Sequence, residues 1–151
     1  MLIGVISDTH GLLRPEALQV LAGSRLIVHA GDVGDPGILD ALRAIAPVVA
    51  VRGNIDVASA LPEHQLIEEG GVSIYVLHDV NQLDLDPIAA GIQVVISGHS
   101  HKPSIRTQDG VLYLNPGSAG PRRFKLPVTV ARLHVNAKGL EAERIDLLDT
   151  I

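Results

Sequence analysis

The chain has 151 residues, 46% of them hydrophobic and 19% charged, with a formal net charge of −5 at pH 7; that length fits a single α/β-sized domain, residues 1–151, with a sizeable core. An acidic balance with 2% aromatic residues disfavours a nucleic-acid partner, and no apolar run approaches the about 18 residues of a membrane span. With no cysteine, disulfides and thiolate metal sites are excluded, so a metal would be held by His, Asp, Asn and water.

Met1 leads directly into Leu2 to Ile6, a run of branched residues with no basic region or cleavage site, so a signal peptide is not expected and the cytoplasm is the expected compartment. The run reads as a central strand that delivers Asp8 and His10 to a loop. Pro15 fits the first turn of a helix to about Ala22. Arg25 to His29 is a second buried strand, opening into Ala30-Gly31-Asp32. A helix from about Pro36 to Ala46 carries Ile38, Leu39, Leu42 and Ile45 on one face. Pro47 to Val51 is a third strand, followed by Gly53-Asn54. In an open α/β sheet, sites are built in the crevice outside the carboxyl ends of such strands.

Residues 63–69 and 72–77 read as a hairpin about Gly70-Gly71, the second strand ending in His78-Asp79. Asp86 to Gly91 is predicted as a short helix. The apolar run Ile92 to Ile96 then releases Gly98-His99-Ser100-His101, two imidazoles two residues apart that converge on one small object if the backbone is extended. Ile105 to Thr107 and Val111 to Leu114 form another hairpin about Asp109-Gly110. Leu126 to Val135 and Leu140 to Leu147 close the chain as an antiparallel pair. The order is βαβ first and antiparallel second, with no repeat or linker.

Seven polar residues thus stand at strand ends: Asp8, His10, Asp32, Asn54, His78, His99 and His101. That number suits two five- or six-coordinate cations when a carboxylate bridges them and water fills the rest.

In the order DTH at 8–10, GD at 31–32, GN at 53–54, His78 and GHSH at 98–101, these residues resemble the calcineurin-like metallophosphoesterases. The short length, VRGNID at 51–56 and NPGS followed by Pro121-Arg122 are similar to the small bacterial and archaeal phosphodiesterase branch. The resemblance implies a four-layer α/β/β/α sandwich of two mixed sheets flanked by helices. It also implies two divalent ions, manganese first and iron, nickel, zinc or magnesium behind it. Asp8, His10, Asp32 and His101 would hold one ion, and Asp32, Asn54, His78 and His99 the other, with Asp32 bridging. The implied activity is hydrolysis of small phosphodiesters by a hydroxide shared between the ions. The alternatives are a phosphomonoesterase or nucleotide phosphatase and, in a different class, a protein-binding scaffold of the same fold. A homo-oligomer is left open.

The chain departs from the family pattern at Ile55, where many relatives carry a histidine that can protonate the leaving group, and at Asp79-Val80, where many read Gly-His. Among the remaining candidates, His29 reads as a hydrogen-bonded core histidine, His64 and His134 as structural or exposed, and Asp35 and Asp56 as turn or helix caps. Asp79 is read as a group that orients His78 or acts as an outer acid. Arg14, Arg52 and Arg122 are candidate phosphate contacts.

Overall fold

The computed structural model describes residues 1–56 and 60–148. Its elements are β1 (Leu2–Ile6), α1 (Pro15–Leu21), β2 (Leu26–His29), α2 (Pro36–Arg43), β3 (Val48–Ala50), β4 (His64–Glu69), β5 (Val72–Leu77), β6 (Val94–Ile96), β7 (Ser104–Gln108), β8 (Val111–Asn115), β9 (Thr129–Asn136) and β10 (Gly139–Asp146).

They form two mixed five-stranded sheets. The first has the order β10-β9-β1-β2-β3, parallel through β1, β2 and β3 and antiparallel beyond β1. The second has the order β4-β5-β6-β8-β7, parallel through β5, β6 and β8 with an antiparallel strand at each edge. Alternation along the strands sorts the apolar residues into layers. Ile3, Val5, Val28, Ile74, Val76, Val94, Ile96 and Leu114 fill the space between the sheets. Ile6, Ile27 and Val130 face the other way, against Ala17 and Leu21 of α1 and Ile38, Leu39 and Leu42 of α2. Burial on both faces explains why the central strands are almost continuously apolar.

The helices begin where their chemistry requires. Each opens with proline at its first turn, whose missing N–H costs nothing there. Asp35 caps α2 by accepting from Gly37 N at 2.9 Å, the capping role read for it. Helix α2 ends at Arg43 rather than Ala46, and Ile45 packs from the turn beyond.

Two readings are corrected. Asp86 to Gly91 is a set of turns, not a helix: bonds from Ala90 N to Asp86 O and Gly91 N to Ile88 O tie it off, and a segment this short gains too few bonds to propagate. Instead a 3-10 turn forms at Val80–Gln82, with Asp79 accepting from Asn81 N at 3.0 Å. This turn and Leu83 and Leu85 cover Tyr75, Leu77, Ile92 and Val95 on the outer face of the second sheet. Both α-helices lie on the first sheet, so the sandwich is thick on one side and thin on the other. Strand β9 starts at Thr129, three residues later than read, because Leu126 N closes onto Arg123 O and Val128 bridges to Ser118.

Candidate metal centre

The parallel strands of both sheets end along one edge, and every strand-end group read from the sequence is delivered there: Asp8 and His10 after β1, Asp32 after β2, Asn54 after β3, His78 after β5, His99 and His101 after β6. Backbone bonds lock these loops together. Asp8 N donates to Gly31 O, His10 N to Asp32 O and Gly98 N to His78 O, all at 2.8–2.9 Å. Five of the seven residues, Asp8, His10, Asp32, His99 and His101, have φ between 46° and 71°. The left-handed region is costly for residues with a Cβ and tends to collect at functional sites.

Asp8 and Asp32 form the middle of the cluster. Asp8 is fully buried; its Oδ2 accepts from Ser7 Oγ at 2.7 Å and from His99 N at 3.1 Å. Among the described residues its Oδ1 has no hydrogen-bond partner, and it faces three imidazole nitrogens, His101 Nε2 at 3.4 Å, His10 Nε2 at 3.7 Å and His78 Nε2 at 3.8 Å. Asp32 Oδ1 accepts from Ile55 N at 3.1 Å, leaving Oδ2 beside His78 Nε2 at 3.2 Å and His10 Nε2 at 3.4 Å. Two compact groups result, Asp8 with His10 and His101, and Asp8 with Asp32 and His78. Asp8 belongs to both groups, while Asp32 Oδ2 touches a histidine of each.

His99 and Asn54 stand further out. The His99 ring meets His78 edge-on with centroids 5.2 Å apart and is 44% exposed, with Nε2 3.8 Å from Asp79 Oδ2. Asn54 is exposed on the wall of a polar cleft of about 500 Å³ that it shares with His78 and Asp79.

Glycine makes the crowding feasible. A Cβ on Gly53 would collide with Asp32 Oδ1 and backbone N, and one on Gly98 with Ser7 Oγ and Asp8 Oδ2, so the glycines before Asn54 and His99 are sterically required.

The electrostatics follow from this packing. Burial pushes the Asp8 carboxyl up, but the close His101 imidazole, the Ser7 hydrogen bond and the neighbouring His78 outweigh it and hold the group below its usual value. Asp32 shows the same opposition: burial raises it, His78 and the Ile55 N–H win, and it lies far below the ordinary range. His10 is lowered, mainly by burial. His78 is raised despite burial, through Asp32 and the Ala30 carbonyl that its Nδ1 reaches at 2.7 Å. With Nδ1–H donating to Ala30, His78 presents Nε2 inward, the orientation a metal ligand requires. The buried, unpartnered Asp8 Oδ1, His10 Nε2 and His78 Nε2 are aimed at one another. Such groups are expensive in a closed protein unless a cation satisfies them, and a carboxylate and imidazole donor set fits borderline divalent ions.

The remaining candidates take other roles. Asp79 does not orient His78, which the Ala30 carbonyl does; it caps the 3-10 turn and faces His99. Asp56 accepts from Val33 N, Gly34 N and Gly53 N at 3.0–3.2 Å, tying the loop after β2 to the loop after β3. Arg52 pairs with Glu63 at 2.6 Å, Arg14 donates to Gly120 O, and Arg122 to Leu126 O. Ile55 contributes its N–H to Asp32 while its side chain lies at a separate apolar groove with Pro36 and Leu39. His64 stacks on Tyr75 and His134 lies 3.9 Å from Glu143.

Sequence reasoning missed several supports. Ser118 Oγ donates to Asp8 O at 3.0 Å, and Asn115 holds Gly98 O and Ser100 Oγ, so the NPGS stretch buttresses both metal-type loops. Arg123, overlooked beside Arg122, lies near enough to His10 to lower its pKa.

A sandwich of two mixed sheets that gathers carboxylates and imidazoles at one edge defines a metal-binding phosphoesterase architecture. The chain belongs to the calcineurin-like phosphoesterase superfamily, whose domain model matches residues 1–138. It is 41% identical over 160 aligned positions to a probable metallophosphoesterase of Methanocaldococcus jannaschii, covering 97% of this chain and 82% of that one. A predicted phosphoesterase of Streptococcus pneumoniae superposes with a TM-score of 0.81 at 26% identity, over 97% of this chain and 89% of the other. An archaeal phosphodiesterase has the same fold, with a TM-score of 0.78 at 21% identity over 96% and 100% of the two chains. So does Entamoeba histolytica Vps29 in complex with Zn2+, at 0.75 and 25%, over 98% and 100%.

Proposed function

We propose that the protein is a phosphodiesterase that uses two divalent cations, manganese foremost, to hydrolyse small phosphodiesters in the cytoplasm, as one domain over residues 1–151. The observation that carries this reading is the set of buried, unpartnered ligand atoms, Asp8 Oδ1, His10 Nε2 and His78 Nε2, converging at one sheet edge. Asp8, His10, Asp32 and His101 would hold one cation, and Asp32, Asn54, His78 and His99 the other. Asp32 suits the bridging role because its Oδ2 already lies within 3.4 Å of a histidine from each set. When bound, the cations supply positive charge for the phosphoryl oxygens and lower the pKa of water from about 15.7 toward 7.

The chain's own groups position that chemistry. Ser7 and the His99 N–H fix one oxygen of Asp8 so that the other points inward. The Ile55 N–H does the same for Asp32, and the Ala30 carbonyl for His78. With isoleucine at 55, no imidazole stands there to protonate the departing alkoxide, so esters with acidic leaving groups are the favoured substrates.

The fold shared with Vps29 favours a second reading, a protein-binding scaffold. Purified protein with Mn2+ should cleave bis(p-nitrophenyl) phosphate faster than p-nitrophenyl phosphate and lose that activity in chelator. Preference for the monoester would assign a phosphomonoesterase instead, and inertness toward both would leave the scaffold.

A further inference from the structure

The cleft onto which His78 and Asn54 open extends well past the ligand cluster, and its remaining wall has a definite chemistry. Arg52, Glu63, His64, Tyr75, Gln82 and Asp84 line it. Among the described residues lining it, Arg52 is the sole guanidinium or ammonium, and its charge is already matched by Glu63 at 2.6 Å. Asp84 and Asp79 therefore leave the cleft acidic, and among the described residues Asp84 forms no ion pair while Asp79 has only His99 at 3.8 Å. His64, exposed and stacked on the buried Tyr75 ring with centroids 5.6 Å apart, adds an aromatic surface. His78, 6% exposed with Nε2 unpartnered, ties this cleft to the candidate metal centre.

The opposite flank has the reverse sign. Gly120 lies against the backbone of Asp8 and Thr9, and the stretch after it carries Arg122, Arg123 and Lys125, with Arg123 acting on His10. A substrate crossing the site thus meets basic charge beside His10 and acidic charge beyond His78.

Building on the phosphodiesterase reading, we propose that the cleft of His64, Asp79 and Asp84 is a specificity site for a cationic ester arm, so that the preferred substrates are zwitterionic phosphodiesters of an amino alcohol. An alkylammonium is attracted by carboxylates that no other cation neutralises, as at Asp84, and by an exposed aromatic ring. A second phosphate in the same cleft is repelled, which places nucleoside polyphosphates outside the substrate range.

The test compares p-nitrophenylphosphorylcholine with its uncharged isostere, p-nitrophenyl 3,3-dimethylbutyl phosphate, on the Mn2+-loaded protein. The two differ in charge and hardly in shape. The choline ester should have a kcat/KM about tenfold higher, the effect of a favourable charge interaction of modest size, and the ratio should shrink with added salt. Asp84 is exposed, so D84N should fold and should bring the ratio toward one by lowering kcat/KM for the choline ester. Turnover of both esters at equal rates would overturn the cationic site while the phosphodiesterase reading stood. A preference that D84N leaves intact would overturn the assignment to this cleft, whereas failure of the Mn2+ protein to cleave either ester would overturn the phosphodiesterase reading itself.

Discussion

His29 is fully buried beneath the loops that carry Asp8 and Asp32, and it has a complete set of partners. Gly31 N donates to its Nδ1 at 3.1 Å, so the proton sits on Nε2, which meets Thr9 Oγ1 at 3.0 Å; the Thr9 hydroxyl then donates to Val33 O at 2.8 Å. Charging this ring would convert an acceptor into a donor facing a donor. Burial accordingly lowers its pKa from 6.5 to about 4. Because the folded value is depressed, the unfolded chain binds the extra proton first: the stabilising contribution is intact above about pH 6.5 and is lost as pH falls toward 4. The loss amounts to about 3 kcal/mol at its limit. Urea unfolding of metal-free protein between pH 7 and 4 should show that decline, and H29Q, less stable at neutral pH, should show a shallower one. Equal slopes for the two proteins would remove His29 as the titrating group. The sequence marked His29 as a core histidine from its place at the end of an apolar strand, but its tautomer depends on Thr9 and Gly31 from two different loops, which no local pattern encodes.

At the scale of elements, strand ends were legible because apolar runs stop abruptly at glycine and acid or imidazole, and the hairpins because Gly70-Gly71 and Asp109-Gly110 supply the positive φ that tight turns need. What escaped the sequence was how loops hold one another. Asp56 looked like a turn residue, yet it gathers three N–H groups from the segments bearing Asp32 and Asn54. Asp79 looked like a partner of His78 by adjacency, whereas its carboxylate accepts from Asn81 N to cap the 3-10 turn and turns to His99. D56A should strand those buried donors, each costing about 1–3 kcal/mol when unsatisfied. A loss of at least about 2 kcal/mol in denaturant unfolding is expected, together with weaker Mn2+ binding by calorimetry, because Asp32 and Gly53 are no longer held together. Unchanged Mn2+ affinity in a destabilised D56A would limit Asp56 to stability alone.

For the molecule as a whole, the division of labour between sheets matters. The first sheet, β1 to β3, contributes Asp8, His10, Asp32 and Asn54, and the second, β5 and β6, contributes His78, His99 and His101. A cation held by both would clasp the sandwich across its open edge. Saturation at a hundredfold excess over the dissociation constant stabilises by about 2.7 kcal/mol, which for a chain of this size raises the melting temperature by about 5–10 °C. Thermal scans with and without Mn2+ that superimpose would count against a cation joining the two sheets. The pattern alone read βαβ order followed by antiparallel pairs, and the family resemblance carried by the motifs implied two mixed sheets, but neither showed that both α-helices sit on the first sheet, since the thin cover on the second depends on a 3-10 turn too short to leave a periodic trace. The left-handed backbone at Asp8, His10, Asp32, His99 and His101 has a further consequence, one that concerns descent. Each such residue costs the fold about 1 kcal/mol or more that glycine would not. In a lineage where the activity is no longer under selection, replacing the histidines among them with glycine would relieve that cost, whereas Asp8 and Asp32 would stay to satisfy the Ser7 hydroxyl and the His99 and Ile55 N–H groups. The site would therefore erode faster than the sandwich around it, leaving a durable scaffold with few traces of the chemistry it once carried.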